Sequence, residues 1–414
     1  MGISTGQLCV LLLVWILLPP LRIPGTVPDI YLGFVGVVLL GCDNLGRALV
    51  AGSGALRHNK SLKWFVAFSV CVALSLLVSL LDGRGIALRD LTELARPLLY
   101  MLVFLLAANT KPSALDMDRV YKVLLVGFLA SALFGFAQYF DLAGINRVIS
   151  PYYAPSQMYG LLRHQRITGT TSNPNEFGAL MVLASALALG WGLFSCSVSR
   201  KAASVALLAV FTLAMALTLS RTALVVWGVA IGLVLLAFYP RVRGSVHTIP
   251  AIILAGAAVA VVMALLPAGA FDRAAGIANL AMDNSWQARL VKWREALLAW
   301  QRFPLLGWGP AESTMLSTVD NEWILLLRRY GVVGIASFVC LSCSLYAGVA
   351  SVARQREGNA TMALSVVLQA ALVGYAVYMV PAGVYHSLQL MTILLLIVGL
   401  ASSQLRQRKA GFVK

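Results

Sequence analysis

Long apolar runs recur along the chain, parted by short polar segments. A helix crossing the hydrocarbon of a bilayer needs about 20 mostly apolar residues. Twelve stretches meet that need: 6–21, 27–42, 63–81, 91–108, 119–140, 176–195, 202–219, 222–239, 249–266, 322–352, 361–381 and 385–402. The second is short, and only Ser220-Arg221 parts the seventh from the eighth. The pattern predicts an all-α, polytopic membrane protein with about twelve transmembrane helices. The longest break in it runs from Pro267 to Val319 and leads into the turn Asp320-Asn321-Glu322-Trp323. We therefore divide the chain into residues 1–266 (helices one to nine), 267–319 (a long loop with an amphipathic helix) and 320–414 (the last three helices and a tail).

Composition agrees with the pattern. The 414 residues are 60% hydrophobic and 12% charged, with a mean hydropathy of +0.84. Soluble domains are nearer half apolar and a quarter charged. A net charge of +16 would suggest nucleic acid in a soluble protein, but here the cations are spread through short loops, so no nucleic-acid partner is expected. The six cysteines lie mostly in apolar runs and read as small membrane-core residues rather than disulfides or metal ligands. None of the four histidines has metal-ligand spacing, and no metal or other cofactor is expected. The first run lacks a basic segment before it and a small-residue cleavage site after it, so it reads as a span rather than a cleaved signal.

The cations also set a topology. Of the 32, 17 fall in one alternating set of connections: around Arg47 to Lys63, Lys111 to Lys122, Arg200-Lys201, Arg241 to Arg243, Arg354 to Arg356 and the tail from Arg406. The positive-inside rule makes this set cytoplasmic, with both termini. Most of the others cluster in three places on the opposite face: Ile145 to Thr171, Arg221 and the long loop. Topology does not ask for cations there. An anionic ligand gives them a reason, and anionic lipid headgroups give another.

Four constellations could carry chemistry. Arg163 to Glu176 (RHQRITGTTSNPNE) is polar and opens directly into an apolar run. Ser172, Asn173 and Asn175 are eligible N-caps, with Pro174 suited to the first turn. A helix start attracts anions, and Arg166 would add a bidentate fork. Arg221 lies between two spans, where a guanidinium is costly unless it is paired or faces a polar cavity. In the loop, Trp286, Leu290, Trp293, Leu297 and Trp300 fall on one helical face, with Arg289 and Lys292 beside it. That helix should lie in the headgroup plane, either as a plain lid or with Arg289 reaching an anionic headgroup. Finally, Asp320, Asn321 and Glu322 open the tenth span. Asp320 reads as a helix cap or as a general base, with Glu322 a second candidate base. His386, alone after Pro381, reads as structural.

These pieces together resemble the O-antigen ligase and O-antigen polymerase superfamily of bacterial envelope glycan enzymes. The resemblance rests on Arg166 to Phe177 (RITGTTSNPNEF), on Ser220-Arg221-Thr222, on Arg289 to Gly309 (RLVKWREALLAWQRFPLLGWG) and on Asp320 to Gly334 (DNEWILLLRRYGVVG). It implies a metal-independent, membrane-embedded glycosyltransferase of the C type in the bacterial inner membrane, with its active site facing the periplasm. The donor would be an oligosaccharide on undecaprenyl diphosphate. Arg221 and Arg289 match the family's diphosphate-binding arginines. Arg166 is a third candidate, and Asn173, Asn175 and Asn321 are candidate substrate contacts. Ligases of the superfamily tend to carry a histidine where this chain has Asp320-Asn321. The pair looks more like the polymerase branch, which joins one lipid-linked repeat unit to another, with a chain-length regulator as a candidate partner. The expectation is thus a polymerase of O-antigen or exopolysaccharide repeat units, with Asp320 as base. Its alternatives are a ligase with lipid A–core as acceptor and, from another class, a twelve-helix transporter of an anionic substrate, although no two-fold repeat is visible.

Overall fold

The computed structural model describes residues 3–21, 30–50, 60–84, 86–163, 166–242, 256, 284–310, 319–354 and 359–411. The expected span at 249–266, apart from Gly256, and the loop portions 267–283 and 311–318 lie outside the described residues, as do His164 and Arg273. Among the described residues, twelve helices of a dozen residues or more follow one another: α1 (Thr5–Leu17), α2 (Leu32–Val50), α3 (Lys60–Leu81), α4 (Leu88–Ala108), α5 (Ala114–Tyr139), α6 (Pro174–Leu193), α7 (Val198–Leu217), α8 (Arg221–Val242), α9 (Asn284–Trp300), α10 (Glu322–Arg354), α11 (Asn359–Tyr378) and α12 (Leu388–Gly411). Short helical turns fill 142–162. Eight of these helices are long and apolar enough to cross a membrane, and α1, α2 and α12 contribute shorter apolar stretches. Among the described residues the architecture is all-helical and polytopic, as the hydrophobic pattern predicts.

The central post is α6. Sixteen of its twenty residues are buried, and a helix apolar all round belongs inside a bundle. Its run of Gly, Ala and Ser lets neighbours approach closely. Tyrosines reach into it from two sides: Tyr121 of α5 donates to the Leu187 carbonyl at 2.8 Å, and Tyr375 of α11 to that of Ala179 at 3.1 Å. Helices α7, α8, α11 and α5 pack around this post, while α3, α4, α10 and α12 form the adjoining group.

The tenth span is broken near its start. Gly331 takes φ 66° and ψ −170° inside α10, a conformation open essentially to glycine alone. A break frees backbone groups that the apolar interior cannot satisfy. Here the end of the long loop satisfies them. Trp308 and Gly309 N–H donate to the carbonyls of Arg328 (2.7 Å) and Arg329 (2.9 Å), and Val332 and Val333 N–H donate to those of Pro304 (3.0 Å) and Leu305 (3.1 Å). The fit leaves no room for side chains: a Cβ on Gly331 would stand 2.2 Å from the Leu305 oxygen, and one on Gly307 2.3 Å from the Arg329 oxygen. The PLLGWG and RYG motifs, 20-odd residues apart in the chain, are thus two halves of one joint.

Candidate active site

Three groups of polar side chains gather at the end of the bundle where α6, α8 and α10 begin. The first joins Arg289 to Asp320. The Arg289 Nε lies 3.4 Å from the Asp320 carboxylate, and both side chains are partly exposed. Asp320 is not the cap of α10. That role falls to Asn321, whose Oδ1 accepts from the Ile324 N–H at 3.0 Å. A carboxylate relieved of capping and set beside a guanidinium is free for other work. Helix α9 exists as expected, with Trp286, Trp293 and Trp300 half-buried like Arg289, but its inward side does not include the leucines of the predicted stripe. Ala296 is its buried residue, and Leu290 and Leu297 are exposed. The face turned to α10 therefore carries Arg289 with Ala296. Helix α9 packs on protein, so the arginine side, which can pair with Asp320, turns inward at the expense of leucines.

The second group brings together the segment before α6 and the turn before α8. Arg166 donates through Nε to the Thr218 carbonyl at 2.9 Å and through Nη2 to Asn175 Oδ1 at 3.1 Å. Asn173 is the N-cap of α6: its Oδ1 accepts from Asn175 N–H at 2.8 Å, with Pro174 at the first helical position. Ser220 caps α8 by accepting from Ala223 N–H at 3.3 Å. Just before it, Leu219 holds φ 52°, a left-handed conformation that costs a non-glycine residue on the order of 1–2 kcal/mol. That twist ends α7 abruptly and starts α8 with Arg221 in its first turn. So Arg166, Asn173, Asn175 and the Ser220-Arg221 turn form one assembly.

The last residues of α11 connect the two groups. Tyr378 donates to the Asn175 carbonyl at 2.6 Å. Met379, its neighbour, accepts the Glu322 N–H at 2.8 Å. A single helix end thereby holds the starts of α6 and α10 in register.

The third group was not expected from the sequence. Glu93 and Arg96 of α4, Glu322, Arg329 and Tyr330 of α10, and His386 before α12 form a buried charged network. Arg96 pairs with Glu93 at 2.7 Å and Arg329 with Glu93 at 3.3 Å. Tyr330 donates to Glu93 Oε2 at 3.1 Å, and Arg96 also donates to the His386 carbonyl at 2.6 Å. The His386 ring lies between carboxylates. Its Nδ1 pairs with Glu322 Oε1, and its Nε2 faces both Glu93 Oε2 (3.1 Å) and Arg329 Nη1 (2.7 Å). Nε2 accepts from Arg329 when the ring is neutral and donates to Glu93 when it is protonated. Burial draws the imidazolium pKa down, yet the facing carboxylates of Glu322 and Glu93 outweigh it and hold the ring above the ordinary histidine range. His386 is therefore not a solitary residue, and Glu322, fully buried, is committed to it. The signal in the sequence was the presence of ionisable residues inside apolar runs, Glu93 and Arg96 in the fourth and Arg328-Arg329 in the tenth. Their common partner His386 lies 290 residues from Arg96 and 57 from Arg329 in the chain, which spacing does not show.

Comparison with known proteins bears on residues from all three groups. No curated protein matches the sequence. Residues 203–339 match the family model described as O-antigen ligase, a stretch that takes in Arg221, Arg289, Asp320, Glu322 and Arg329, and this match supports the chain's place in the O-antigen ligase and polymerase superfamily.

Proposed function

We propose that the protein is a glycosyltransferase that polymerises repeat units of an O-antigen or exopolysaccharide at the periplasmic face, taking its donor glycan from undecaprenyl diphosphate. The observation that carries this reading is the Arg289–Asp320 contact at 3.4 Å. It joins an arginine suited to a diphosphate with a carboxylate suited to a proton. In the resting protein each neutralises the other. A donor diphosphate brings more negative charge to Arg289 than one carboxylate does, and Asp320 is released as it binds. The acceptor sugar hydroxyl then attacks the anomeric carbon. A bond forms from that oxygen to the carbon, the bond from carbon to the diphosphate oxygen breaks, and the hydroxyl proton passes to Asp320. Undecaprenyl diphosphate leaves, its charge stabilised by Arg289 and Arg221, with Arg166 ordering the neighbouring turn. Direct displacement inverts the anomeric centre. Loss of one such electrostatic contact costs on the order of 10²–10³ in rate. In this reading residues 267–319 act as the periplasmic cover between two membrane units, 1–266 and 320–414.

A second reading is favoured by the matched family model, whose description is O-antigen ligase. There the acceptor is lipid A–core, and the same residues act. Purified protein given lipid-linked repeat units alone should elongate them. Transfer that occurs only once lipid A–core is added would replace the polymerase reading with the ligase. Vesicle uptake without any transfer would replace both with a transporter. Arg289→Ala and Arg221→Ala should each abolish transfer in folded protein, and near-normal rates in both would remove the site assignment.

A further inference from the structure

The structure divides the cations between Ile145 and Thr171. Arg166 turns inward to the Thr218 carbonyl and Asn175, while Arg147 and Arg163 are exposed. Those two belong to a segment with two unlike sides. From Ile145 to Ala154 the backbone bonds are helical, with Ile149 N–H donating to the Ile145 carbonyl, Tyr152 to that of Ile149 and Ala154 to that of Ser150. Asn146, Ser150, Tyr153 and Ala154 follow at helical spacing and are buried. Two of them tie the segment down: the Asn146 amide donates to the Gln138 carbonyl at 2.7 Å, and the Tyr153 hydroxyl to that of Gly169 at 3.0 Å. The opposite side carries Arg147, Val148, Ile149 and Tyr152, with Val148 63% and Tyr152 62% exposed. The turn Met158–Leu162 repeats the division. Its Leu161 is buried, whereas Tyr159 is 65% exposed, beside exposed Leu162 and Arg163. The Arg163 guanidinium lies 4.4 Å from the Tyr159 ring centroid. Single apolar side chains are ordinary on a wet surface, but a cluster of them rimmed by polar groups marks an interaction site.

We infer that residues 145–163 are an in-plane membrane anchor in the leaflet where α5 ends. Val148, Ile149, Tyr152, Tyr159 and Leu162 enter the boundary between acyl chains and headgroups, and Arg147 and Arg163 bind the phosphates of anionic glycerophospholipids. Three observations select this occupant. The first is reach. Helix α5 has 26 residues, each rising about 1.5 Å, which exceeds the roughly 30 Å of hydrocarbon. Its end at Tyr139 therefore stands at the headgroups, and the bonds from Asn146 to Gln138 and from Tyr153 to Gly169 hold the segment at that level. The second is chemistry. Tyrosines have an apolar ring and a polar tip, and they concentrate where bilayer meets water; short apolar faces flanked by arginine lie in that plane. The third is charge. Asp141 is the one carboxylate between 140 and 163, and it accepts from the Asn146 N–H at 3.0 Å. The exposed face is thus cationic, which favours an anionic leaflet over a neutral one.

The test uses the full-length protein in phosphatidylethanolamine–phosphatidylglycerol vesicles, with the photoreactive p-benzoylphenylalanine in place of Tyr152, Tyr159 or Leu133. Leu133 is exposed within the α5 span and reports ordinary bilayer contact. After irradiation, adducts are identified by mass spectrometry. Labels at Tyr152 and Tyr159 should give lipid adducts in yields like those at Leu133, with phosphatidylglycerol enriched several-fold over its share of the vesicle. At Leu133 it should appear at that share. Arg147→Gln combined with Arg163→Gln should return the Tyr152 and Tyr159 adducts to the vesicle's composition and leave those at Leu133 unchanged, which also shows that the variant is folded. Lipid adducts at Tyr152 and Tyr159 several-fold fewer than at Leu133 overturn the anchor. An unreacted label there would show a water-facing segment, and a link to a second protein chain would show a protein contact. Phosphatidylglycerol at its vesicle share before substitution, or enrichment unchanged by the two substitutions, overturns the choice of headgroup. None of these readings depends on glycosyl transfer.

Discussion

Glu93 is the keystone of the buried network, and removing its charge is the sharpest test of it. The side chain is 2% exposed and touches two guanidinium groups, an imidazole and a phenol. With neutral His386, the two carboxylates of Glu93 and Glu322 balance the guanidiniums of Arg96 and Arg329. Glu93→Gln keeps the shape and most hydrogen bonds but leaves one buried positive charge without compensation. Breaking a buried ion pair from one side costs about 3–5 kcal/mol. That is a large share of the 5–15 kcal/mol that typically separates folded from unfolded. The assay is equilibrium unfolding in detergent, followed by tryptophan fluorescence, for Glu93→Gln, Arg329→Gln and the pair. The single changes should each cost about 3–5 kcal/mol, and the double change should cost less than their sum because it removes charges of both signs. A loss below about 0.5 kcal/mol for Glu93→Gln, or strict additivity in the pair, would refute the reasoning, because the charges would then be screened by water.

Other outcomes follow from the same geometry. Because His386 is held above the ordinary histidine range of about 6.5, the folded state retains a proton that the unfolded state has lost. Its contribution is complete below about pH 6.5 and is lost as pH rises through the folded-state value. Unfolding measured across that window should show falling stability in the wild type and a flatter profile in His386→Gln; identical profiles would exclude the network's hold on the ring. Gly331→Ala should cost at least about 1–3 kcal/mol from its conformation alone, and should expose the Trp308 and Gly309 amides to hydrogen exchange; unchanged protection there would mean that the loop does not fill the break. Asn321→Ala should cost about 1 kcal/mol of stability as a lost cap, whereas Asp320→Asn should leave stability within about 0.5 kcal/mol and lower transfer at least tenfold, a split measurable by melting and single-turnover kinetics. Stability loss in Asp320→Asn with full activity would reverse the two assignments.

Much of this protein was legible without coordinates. The apolar runs specified the helices because a bilayer imposes one length and one composition on anything that crosses it. Capping chemistry is local, so Asn173 with Pro174 announced the start of α6, and the break at Ser220-Arg221 announced that of α8. The candidates Arg289 and Asp320 were drawn from separate motifs. That they touch is a fact of packing: α9 turns Arg289 and Ala296 toward α10 and leaves the leucines of the predicted stripe exposed. Asp320 was the cap candidate by sequence, and the backbone gave that role to Asn321. Tertiary structure alone decided the joint between PLLGWG and Gly331, because a broken helix in an apolar setting needs hydrogen-bond partners and only the folded loop supplies them. It alone decided the network of Glu93, Arg96, Arg329, His386 and Glu322. Each of those charges is costly inside a membrane by itself, and the sequence shows the cost; the partners that offset it come from helices far apart in the chain, and only the fold brings them within 3 Å or so of one another.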